Sequence, residues 1–386
     1  GDTRRENAQP ISITHVKGNL AVAHNGNLVN AGELRREIEL DGGIFRSSND
    51  TEVLVYTIVK ERLKCGSIEE AVMNTMHRIE GAYSLVVMSP RKLIAARDPH
   101  GFRPLCIGLL DNDCYIFASE TCALDALGAK FIRDVEPGEV CVVENGELRS
   151  MHCGIECKSS ACVFEYIYFA RPDSIIDGAS VELARQEAGK YLSIEHPVGA
   201  DVVIGVPDSG IPAAIGYAKF SGIPYGVGLI KNRYIARTFI QPGQDKRERS
   251  VRLKLNALRT AIEGKRVIMV DDSIVRGTTC GRLVKLLRDA GAAEVHMRIS
   301  APPFRHPCFF GTDIPERNQL LAHNRTVEEM REIIGFLSLE ACRKIAVGCK
   351  LGFCDACFSG EYPIPVPEQV DKNMFEIEIP LPSDKD

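Results

Sequence analysis

The chain has 386 residues, of which 45% are hydrophobic and 26% charged, and its formal net charge at pH 7 is −5. A single core rarely grows to this length, so two domains are expected. The negative charge argues against a broad nucleic-acid surface, and no apolar run is long enough to span a bilayer. The opening stretch GDTRRENAQP lacks the apolar region of a signal peptide, and the fourteen cysteines lack the spacing of a small disulfide scaffold. These features predict a cytoplasmic protein whose cysteines are thiols, some of them metal ligands.

Short strands and two helical segments make up the first 155 residues. Helical periodicity runs over NAGELRREIEL and DTEVLVYTIVKERL. Four stretches bounded by Gly, Pro and Asn signals read as strands: GAYSLVVMSP, KLIAARD, CYIFAS and EVCVVENGELR. The pattern predicts an antiparallel α+β domain over residues 1–155.

The rhythm changes to alternating strands and helices after a boundary predicted between Met151 and Cys162. The units are DVVIGVP, GIPAAIGYAKFSG, PYGVGLIK, and later VIMV followed by the helix TTCGRLVKLLRDAG, which stops at Gly291. Such alternation favours a parallel sheet with crossover helices, which predicts an α/β domain over residues 156–386.

Two adjacent carboxylates stand at the carboxyl end of one predicted strand, in VIMVDDSIVRGTT. Ligands of open α/β sheets gather outside the carboxyl ends of strands, and helix N-termini attract phosphate. Asp271 and Asp272 would suit ribose hydroxyls or hydrated Mg2+. The phosphate would be held by the backbone from Arg276 through Gly277 to Thr279 and by the hydroxyls of Ser273, Thr278 and Thr279. A sugar phosphate site is therefore predicted, and the alternative is a polar strand end before an ordinary helix cap.

A second strand, DVVIGVP, also ends in an acidic turn, Asp208-Ser209-Gly210. Because neighbouring parallel strands end at the same edge, both turns could meet one ligand, with Gly210 allowing close backbone approach and free N–H groups holding a second phosphate. A plain turn is the alternative. The cation-rich stretch KNRYIARTFIQPGQDKRER, which begins at Lys231, is either a solvated loop or a loop that closes over the phosphates.

Two more patterns carry open alternatives. Asn25-Gly26 is either a type I′ turn or an oxyanion hole, made by the Asn25 amide and the Gly26 N–H, with Asp50 receiving a substrate ammonium; the preceding His24 is expected to be structural. Cys354 and Cys357 form a CxxC that fits a redox pair, half a zinc site or half an iron–sulfur site, and Cys349 is a third candidate.

Taken together, the motifs resemble the glutamine phosphoribosylpyrophosphate amidotransferases, also called amidophosphoribosyltransferases. The matching stretches are VIMVDDSIVRGTT, GVPDSG, GLIKNRYIARTFIQP, AHNGNLVNA, SSNDTEV, RDPHGFRPLCIG and the cysteine pattern. The resemblance covers nearly the whole chain. It implies an N-terminal-nucleophile hydrolase-like glutaminase domain, here incomplete, followed by a type I phosphoribosyltransferase domain that ends in a cluster-binding segment. It also implies the first step of de novo purine biosynthesis, in which phosphoribosylpyrophosphate, glutamine and water give 5-phosphoribosylamine, glutamate and pyrophosphate.

The resemblance assigns roles to individual residues. Asp271 and Asp272 hold the ribose hydroxyls and, with Ser209, Mg2+. The residues that bind the 5-phosphate are Ser273, Arg276, Gly277, Thr278 and Thr279. The residues that face the pyrophosphate are Asp208, Ser209 and Gly210. The flexible loop that closes and forms the ammonia channel carries Lys231, Arg233, Tyr234 and Arg237. Asn25, Gly26 and Asp50 belong to the glutamine pocket.

The resemblance also implies cofactors and regulation. One branch of the family binds a 4Fe–4S cluster through four cysteines, which correspond here to Cys162, Cys308, Cys354 and Cys357, with Cys349 as the substitute. Neither Cys162 nor Cys308 is suggested by spacing alone. Feedback inhibition by purine nucleotides and a homotetramer are implied by the family, and no membrane or nucleic-acid partner is expected.

One feature departs from the family pattern. Members begin with a catalytic Cys, followed by strands that carry an Arg for the glutamine carboxylate, and this chain starts after both. We therefore expect the chain as printed to use ammonia and not to hydrolyse glutamine. Two alternatives remain open: a salvage phosphoribosyltransferase, which would need neither the first domain nor the four cysteines, and an inactive phosphoribosylpyrophosphate-binding fragment or regulator.

Overall fold

The structure is a computed structural model that describes residues 5–232, 255–275, 278–312, 314 and 334–367, without the side chains of residues 278 and 279. The predicted sequence of an α+β half followed by an α/β half is confirmed. Among the described residues, no helix is both long enough and apolar enough to cross a membrane.

An antiparallel sheet dominates the first half. Its six strands are β1 (Ile11–His15), β2 (Gly18–Leu28), β3 (Gly81–Met88), β4 (Lys92–Arg97), β8 (Glu139–Glu144) and β9 (Glu147–His152), which lie in that order across the sheet. One face packs on α1 (Ala31–Leu40), α2 (Asp50–Lys64) and α3 (Ile68–Met76), and apolar residues of both layers form the core. A smaller sheet contains β5 (Cys106–Leu109) between β6 (Tyr115–Ala118) and β7 (Lys130–Asp134), with α4 (Thr121–Ala126) beside it.

The turn alternative for Asn25-Gly26 is wrong, because β2 continues straight through both residues. Asn25 lies opposite Ser84 and Gly26 opposite Tyr83 in the antiparallel register with β3. Gly26 has a φ of +149°, and a Cβ there would stand 2.0 Å from the carbonyl oxygen of Ala82. A glycine is required here because the neighbouring strand leaves no room for a side chain.

A linking region joins the two halves. It contains the strands β10 (Ala161–Cys162), β11 (Ile175–Ile176) and β12 (Ala179–Ser180) and the π-helical turn Glu165–Phe169. β10 pairs in parallel with β19 (Phe353–Cys354), which brings Cys162 opposite Cys354. Late-chain residues are thereby fastened to the start of the second half.

A four-stranded parallel sheet forms the centre of the second half. Its strands, in spatial order, are β13 (Val202–Gly205), β16 (Arg266–Asp271), β17 (Glu294–Ile299) and β18 (Ile334–Phe336). Among the residues that the structure describes, the helices of this half are α5 (Val181–Glu195), α6 (Gly210–Ser221), α7 (Arg259–Ile262), α8 (Thr278–Asp289), α9 (Leu339–Cys342) and α10 (Ala356–Ser359). The apolar run before Asp271 is fully buried, as expected for a central parallel strand.

The predicted strand PYGVGLIK differs from expectation. Only its end is a strand, β14 (Leu229–Lys231), and this pairs antiparallel with β15 (Leu255–Ala257) outside the parallel sheet. Tyr225 makes a single parallel bridge with Val203. The apolar pattern was right, but the pairing partner is distant in sequence and periodicity cannot identify it.

Apolar residues from both halves share one buried cluster at their junction. Ala82 and Phe102 belong to the first half, and Phe309, Phe310, Cys354 and Ala356 to the second. The Phe102 and Phe310 rings stack with centroids 4.4 Å apart. Two buried ion pairs cross the same junction, Arg97–Asp177 at 2.7 Å and Arg103–Glu165 at 2.5 Å. The two halves therefore have a common core.

Candidate functional site

The two predicted acidic turns meet at the carboxyl edge of the parallel sheet. β13 and β16 are neighbours, and β16 ends at Asp271. The Ser209 hydroxyl donates to Oδ1 of Asp272 at 2.7 Å, and the Ser273 hydroxyl donates to Oδ2 of the same carboxylate at 2.6 Å. The predicted convergence of the two strand ends is thus observed, with Asp272 as the shared acceptor.

Electrostatics at this edge favour a cationic or hydroxyl-bearing ligand. Asp271 and Asp272 are both buried, and the backbone N–H of Asp272 donates to Asp271 Oδ1 at 3.0 Å. Burial, and next the adjacent charge of Asp272, raise the pKa of Asp271. Two adjacent buried carboxylates repel each other, so a metal ion or sugar hydroxyls would relieve their repulsion.

The role predicted for Gly210 needs correction. Its backbone N–H donates to the Val206 carbonyl at 3.0 Å and is not available to a phosphate. A Cβ at Gly210 would stand 2.5 Å from the Val270 carbonyl oxygen. The glycine therefore lets α6 begin directly against β16, and the close approach is to a strand. Ser209 precedes the helix but makes no cap, because its hydroxyl is committed to Asp272.

One cation of the predicted loop reaches the site. Lys231 Nζ lies 2.5 Å from Oδ2 of Asp208, and both side chains are largely exposed. Arg233, Tyr234 and Arg237 lie outside the described residues, as do Arg276 and Gly277. The backbone at Thr278 begins α8 as predicted, but the side chains of Thr278 and Thr279 also lie outside the described part.

The first half brings Asn25, Gly26 and Asp50 to one end of β2. The backbone N–H of Leu28 donates to Asp50 Oδ2 at 3.1 Å, and the Asn25 side-chain amide donates to the Ser119 hydroxyl at 3.3 Å. Asp50 begins α2, behind the cap formed by Asn49. Asp50 is thus bonded to the backbone two residues beyond Gly26, whereas the Asn25 side chain is bonded to Ser119.

His24, which was expected to be structural, contacts a predicted site residue. Its Nδ1 lies 3.6 Å from Asp50 Oδ1, and its Nε2 lies 3.2 Å from the Ala82 carbonyl oxygen. Burial opposes ionisation of Asp50, but His24 and the backbone N–H groups of Leu28 and Thr51 outweigh it and lower the Asp50 pKa. The carboxylate is thus held ionised. No sequence signal except the adjacency of His24 to Asn25 indicated this contact.

The four cysteines of the predicted cluster lie on segments near the junction of the two halves. Cys162 lies opposite Cys354 in the β10–β19 pairing, and the backbone N–H groups of Arg305 and His306 donate to the Cys357 carbonyl. Burial raises the pKa of Cys357, and Cys308, Cys162 and Cys354 raise it further. All fourteen cysteines are free thiols. The four thiols are thus within electrostatic reach of one another around Cys357, and none of them is in a disulfide.

Cys349 and Cys342 lie outside the predicted set of four, and their surroundings can be compared with those of the set. Cys349 accepts a hydrogen bond from the Tyr166 hydroxyl at 3.5 Å, and the charges that influence it are those of Asp177 and Arg97. It belongs to a different neighbourhood. Cys342 is fully buried, and its thiol pKa is raised by burial and by the charges of Asp355 and Cys162. The spacing of the cysteines did not indicate that Cys342 lies within electrostatic reach of Cys162, because the two residues are far apart in the sequence.

The described part of the chain contains no formed metal-binding site. No group of three or more His, Cys, Asp or Glu side chains among those residues is arranged to hold a metal ion. The sheet edge brings together two carboxylates and two hydroxyls, and the four cysteines contribute free thiols that are not gathered into a metal-binding arrangement.

The comparisons with known proteins agree with this two-site architecture. A sequence model of a glutamine amidotransferase domain matches residues 2–126, and a model of a phosphoribosyl transferase domain matches residues 182–303. The amidophosphoribosyltransferase of Archaeoglobus fulgidus is 50% identical over 374 residues, which are 95% of this chain and 82% of that protein. That of Bacillus subtilis is 50% identical over 372 residues, 94% of this chain and 77% of that protein.

Solved structures give the same assignment. The glutamine phosphoribosylpyrophosphate amidotransferase of Bacillus subtilis, complexed with ADP and GMP, is similar with a TM-score of 0.87 and 48% identity, over 95% of this chain and 82% of that one. A second structure, described as the allosteric regulatory enzyme of purine biosynthesis, has a TM-score of 0.86 and 48% identity, over 94% of this chain and 80% of that one. The protein, with its glutamine amidotransferase domain followed by a phosphoribosyltransferase domain, belongs to the amidophosphoribosyltransferase family.

Proposed function

We propose that the chain transfers nitrogen to phosphoribosylpyrophosphate, which forms 5-phosphoribosylamine and pyrophosphate in the first step of de novo purine biosynthesis. The observation that carries the proposal is the shared acceptor at the sheet edge: Ser209 and Ser273, from two neighbouring strand ends, both donate to Asp272. This is a preorganised acidic surface at the place where α/β sheets bind ligands. The resemblance to relatives named amidophosphoribosyltransferase gives the substrate.

The reaction exchanges one bond at C1 of the ribose. The bond from C1 to the pyrophosphate oxygen breaks, and the leaving group takes the electron pair. A bond forms between C1 and the ammonia nitrogen, which then releases one proton to solvent. In the full reaction of the family the ammonia comes from hydrolysis of the glutamine amide, which leaves glutamate, and ammonia supplied directly can enter the same transfer step. We assign to Asp271 and Asp272 the ribose hydroxyls, and to Lys231 the stabilisation of the departing pyrophosphate. Positioning and charge stabilisation supply most of the catalysis in this scheme.

The proposal extends to two cofactors whose donor sets are present. Mg2+ would be held by Asp271, Asp272 and Ser209, and when bound it neutralises charge on the pyrophosphate. A 4Fe–4S cluster would be held by Cys162, Cys308, Cys354 and Cys357, since four cysteine thiols are its usual donor set. Burial raises the pKa of Cys162 to about 12, so the thiolate form needs a positive partner such as iron.

The remaining elements of the proposal rest on family membership. Purine nucleotides are the proposed inhibitors, supported by the ADP and GMP in the related Bacillus subtilis structure. A homotetramer is proposed from the family pattern alone. The fourteen free thiols support a reducing, cytoplasmic location. Asn25, Gly26 and Asp50 are the proposed glutamine pocket, in which the ionised Asp50 would receive the substrate ammonium.

The test measures pyrophosphate release by anaerobically purified protein. Phosphoribosylpyrophosphate and Mg2+ are supplied with ammonium chloride and, separately, with glutamine. We expect release with ammonium, and we expect Asp272→Asn to lose most of it, while Asp289→Asn, an exposed change at the end of α8, leaves it intact. Wild-type protein that binds phosphoribosylpyrophosphate but releases no pyrophosphate would refute the transferase proposal and favour a binding fragment.

A further inference from the structure

The segment Cys308–Gly311 of the second half, here named the pocket wall, contacts β2 at and next to Gly26, a residue proposed to bind glutamine. The Asn27 side-chain amide donates to the Phe309 carbonyl at 2.9 Å. A Cβ at Gly311 would stand 3.0 Å from both the carbonyl carbon and the carbonyl oxygen of Gly26. The backbone of this segment therefore touches two consecutive residues of β2, and one of these, Gly26, is itself proposed to bind glutamine.

The Arg103 side chain donates hydrogen bonds to the same segment. Its Nε and Nη2 donate to the Phe310 carbonyl at 3.2 Å and 2.9 Å, and its Nη1 pairs with Glu165 at 2.5 Å. Both side chains of this pair are buried, with exposed fractions of 4% and 8%. A shift of the Phe310 carbonyl would leave part of a buried guanidinium without an acceptor, which is costly.

Gly26 also lies close to the neighbouring strand. The Ala82 carbonyl is so near that a Cβ on Gly26 would be 2.0 Å from its oxygen. The Gly26 backbone is thus closely approached by both β3 and Gly311. In a packed interior such a position has little freedom, so its N–H orientation follows the position of both neighbours.

We infer that the segment Cys308–Gly311 is a positioning element for the glutamine pocket, and that Arg103 and Asn27 are the residues that fix it in place. The inference rests on the proposed function, because the roles of Asn25, Gly26 and Asp50 toward glutamine are themselves proposed. It has a direct consequence: the second domain sets the geometry of the pocket in the first, through a segment that begins with one of the proposed cluster ligands.

Gly311→Ala tests the inference with a change made only in the second domain. The new Cβ would also come within 2.9 Å of the Arg103 guanidinium, so the segment has to move away from Gly26. The matched control is Gly222→Ala, since Gly222 also has a positive φ, +73°, but has no atom within 4 Å of the Cβ position. Both changes strain the backbone, and only one displaces the pocket wall.

The deciding measurement is amide hydrogen exchange of the full chain, without added glutamine. We expect Gly311→Ala to speed exchange in the peptide that covers residues 24–28 by about tenfold or more, with little change in residues 139–152, and Gly222→Ala to leave both peptides near wild type. Should Gly311→Ala fail to fold, Asn27→Ala removes the bond to Phe309 and should raise exchange in the same peptide by a smaller factor.

Two results would overturn the inference: no faster exchange at residues 24–28 in either variant, or an equal rise across residues 139–152, which would indicate general destabilisation. The ammonia-dependent release of pyrophosphate is measured on the same samples. Its absence from wild-type protein would refute the proposed function and leave the exchange comparison unaffected, so the two failures are distinguishable.

Discussion

Removing one negative charge from the domain junction should stabilise the protein. Arg97 is buried and forms two hydrogen bonds with Asp177, at 2.7 Å and 2.8 Å. Asp134, in β7, lies beside this pair. Burial and then the charge of Asp177 raise the pKa of Asp134 to about 6, although Arg97 acts in the opposite direction. Arg97 is already paired with Asp177, and the Asp177 backbone N–H and the charge of Lys350 offset the cost of ionising Asp134 only in part, so we expect Asp134→Asn to increase the free energy of unfolding.

The expected gain depends on pH in a defined way. An ordinary Asp in the unfolded chain titrates near pH 4, whereas Asp134 in the folded protein titrates near pH 6. Below about pH 4 the raised pKa of Asp134 does not lower the free energy of unfolding. The loss grows between about pH 4 and pH 6 and is constant above that range. Each pKa unit corresponds to about 1.4 kcal/mol, and with a discount for partial solvation we expect roughly 1 to 2 kcal/mol at pH 7.

The measurement is urea-induced unfolding of wild type and Asp134→Asn at several pH values, from about pH 4.5, inside the range over which Asp134 titrates, to about pH 8, above it. Asparagine keeps an oxygen that can accept from the Asp177 backbone N–H, so the change removes charge without removing that bond. Asp125→Asn, on the exposed face of α4, is the control and should change little. A variant that is less stable than wild type at pH 7, or a gain that does not shrink toward pH 4.5, would refute the reasoning.

Three further predictions concern the junction, the sheet edge and the cysteines. Asp177→Asn breaks the buried pair with Arg97 and should lower the free energy of unfolding by roughly 3 to 5 kcal/mol in urea titrations. Asp173→Asn, which breaks an exposed pair with Arg171, should lower it by under about 1 kcal/mol. Equal losses in the two variants would contradict this expectation. Ser209→Ala removes a hydrogen bond to the Asp272 carboxylate and should raise the KM for phosphoribosylpyrophosphate about tenfold or more in the ammonia-dependent assay. The control Ser221→Ala, at the exposed end of α6, should leave the KM unchanged. An unchanged KM in Ser209→Ala would refute a role for the hydrogen bond to Asp272. Cys354→Ser should abolish bound iron in anaerobically purified protein, measured by iron content and visible absorbance, and Cys349→Ser should retain it; the reverse result would move the proposed cluster to Cys349.

The elements that sequence predicted correctly are those specified by local pattern. The apolar run before Asp271 and the helical spacing that ends near Gly291 correspond to β16 and α8 within a residue or two. The carboxylates were also placed correctly, because the end of a parallel strand fixes the edge of the sheet at which its next residues lie. The meeting of Ser209 with Asp272 followed from the same rule, since β13 and β16 are direct neighbours.

Features that depend on distant pairing could not be predicted in this way. Asn25-Gly26 carries a strong local turn signal, yet pairing with β3 holds it extended. The short helices α3 and α4 fall below the length at which periodicity is informative. Cys162 is brought opposite Cys354 by a two-residue strand pairing across most of the second half. The family resemblance indicated this cysteine set, but the residues alone did not.

The shared core at the junction explains why the two domains would be hard to separate. Phe102 of the first domain stacks on Phe310 of the second, and the Arg103 guanidinium takes its acceptors from Phe310 and Glu165. Cutting the chain after residue 155 would expose the Phe102 ring and leave a buried cation without partners, each at a cost of a few kcal/mol. It would also remove the Gly311 wall from Gly26. An isolated first domain should therefore lose the geometry of the glutamine pocket even where its own sheet survives, because that geometry is completed by the second domain.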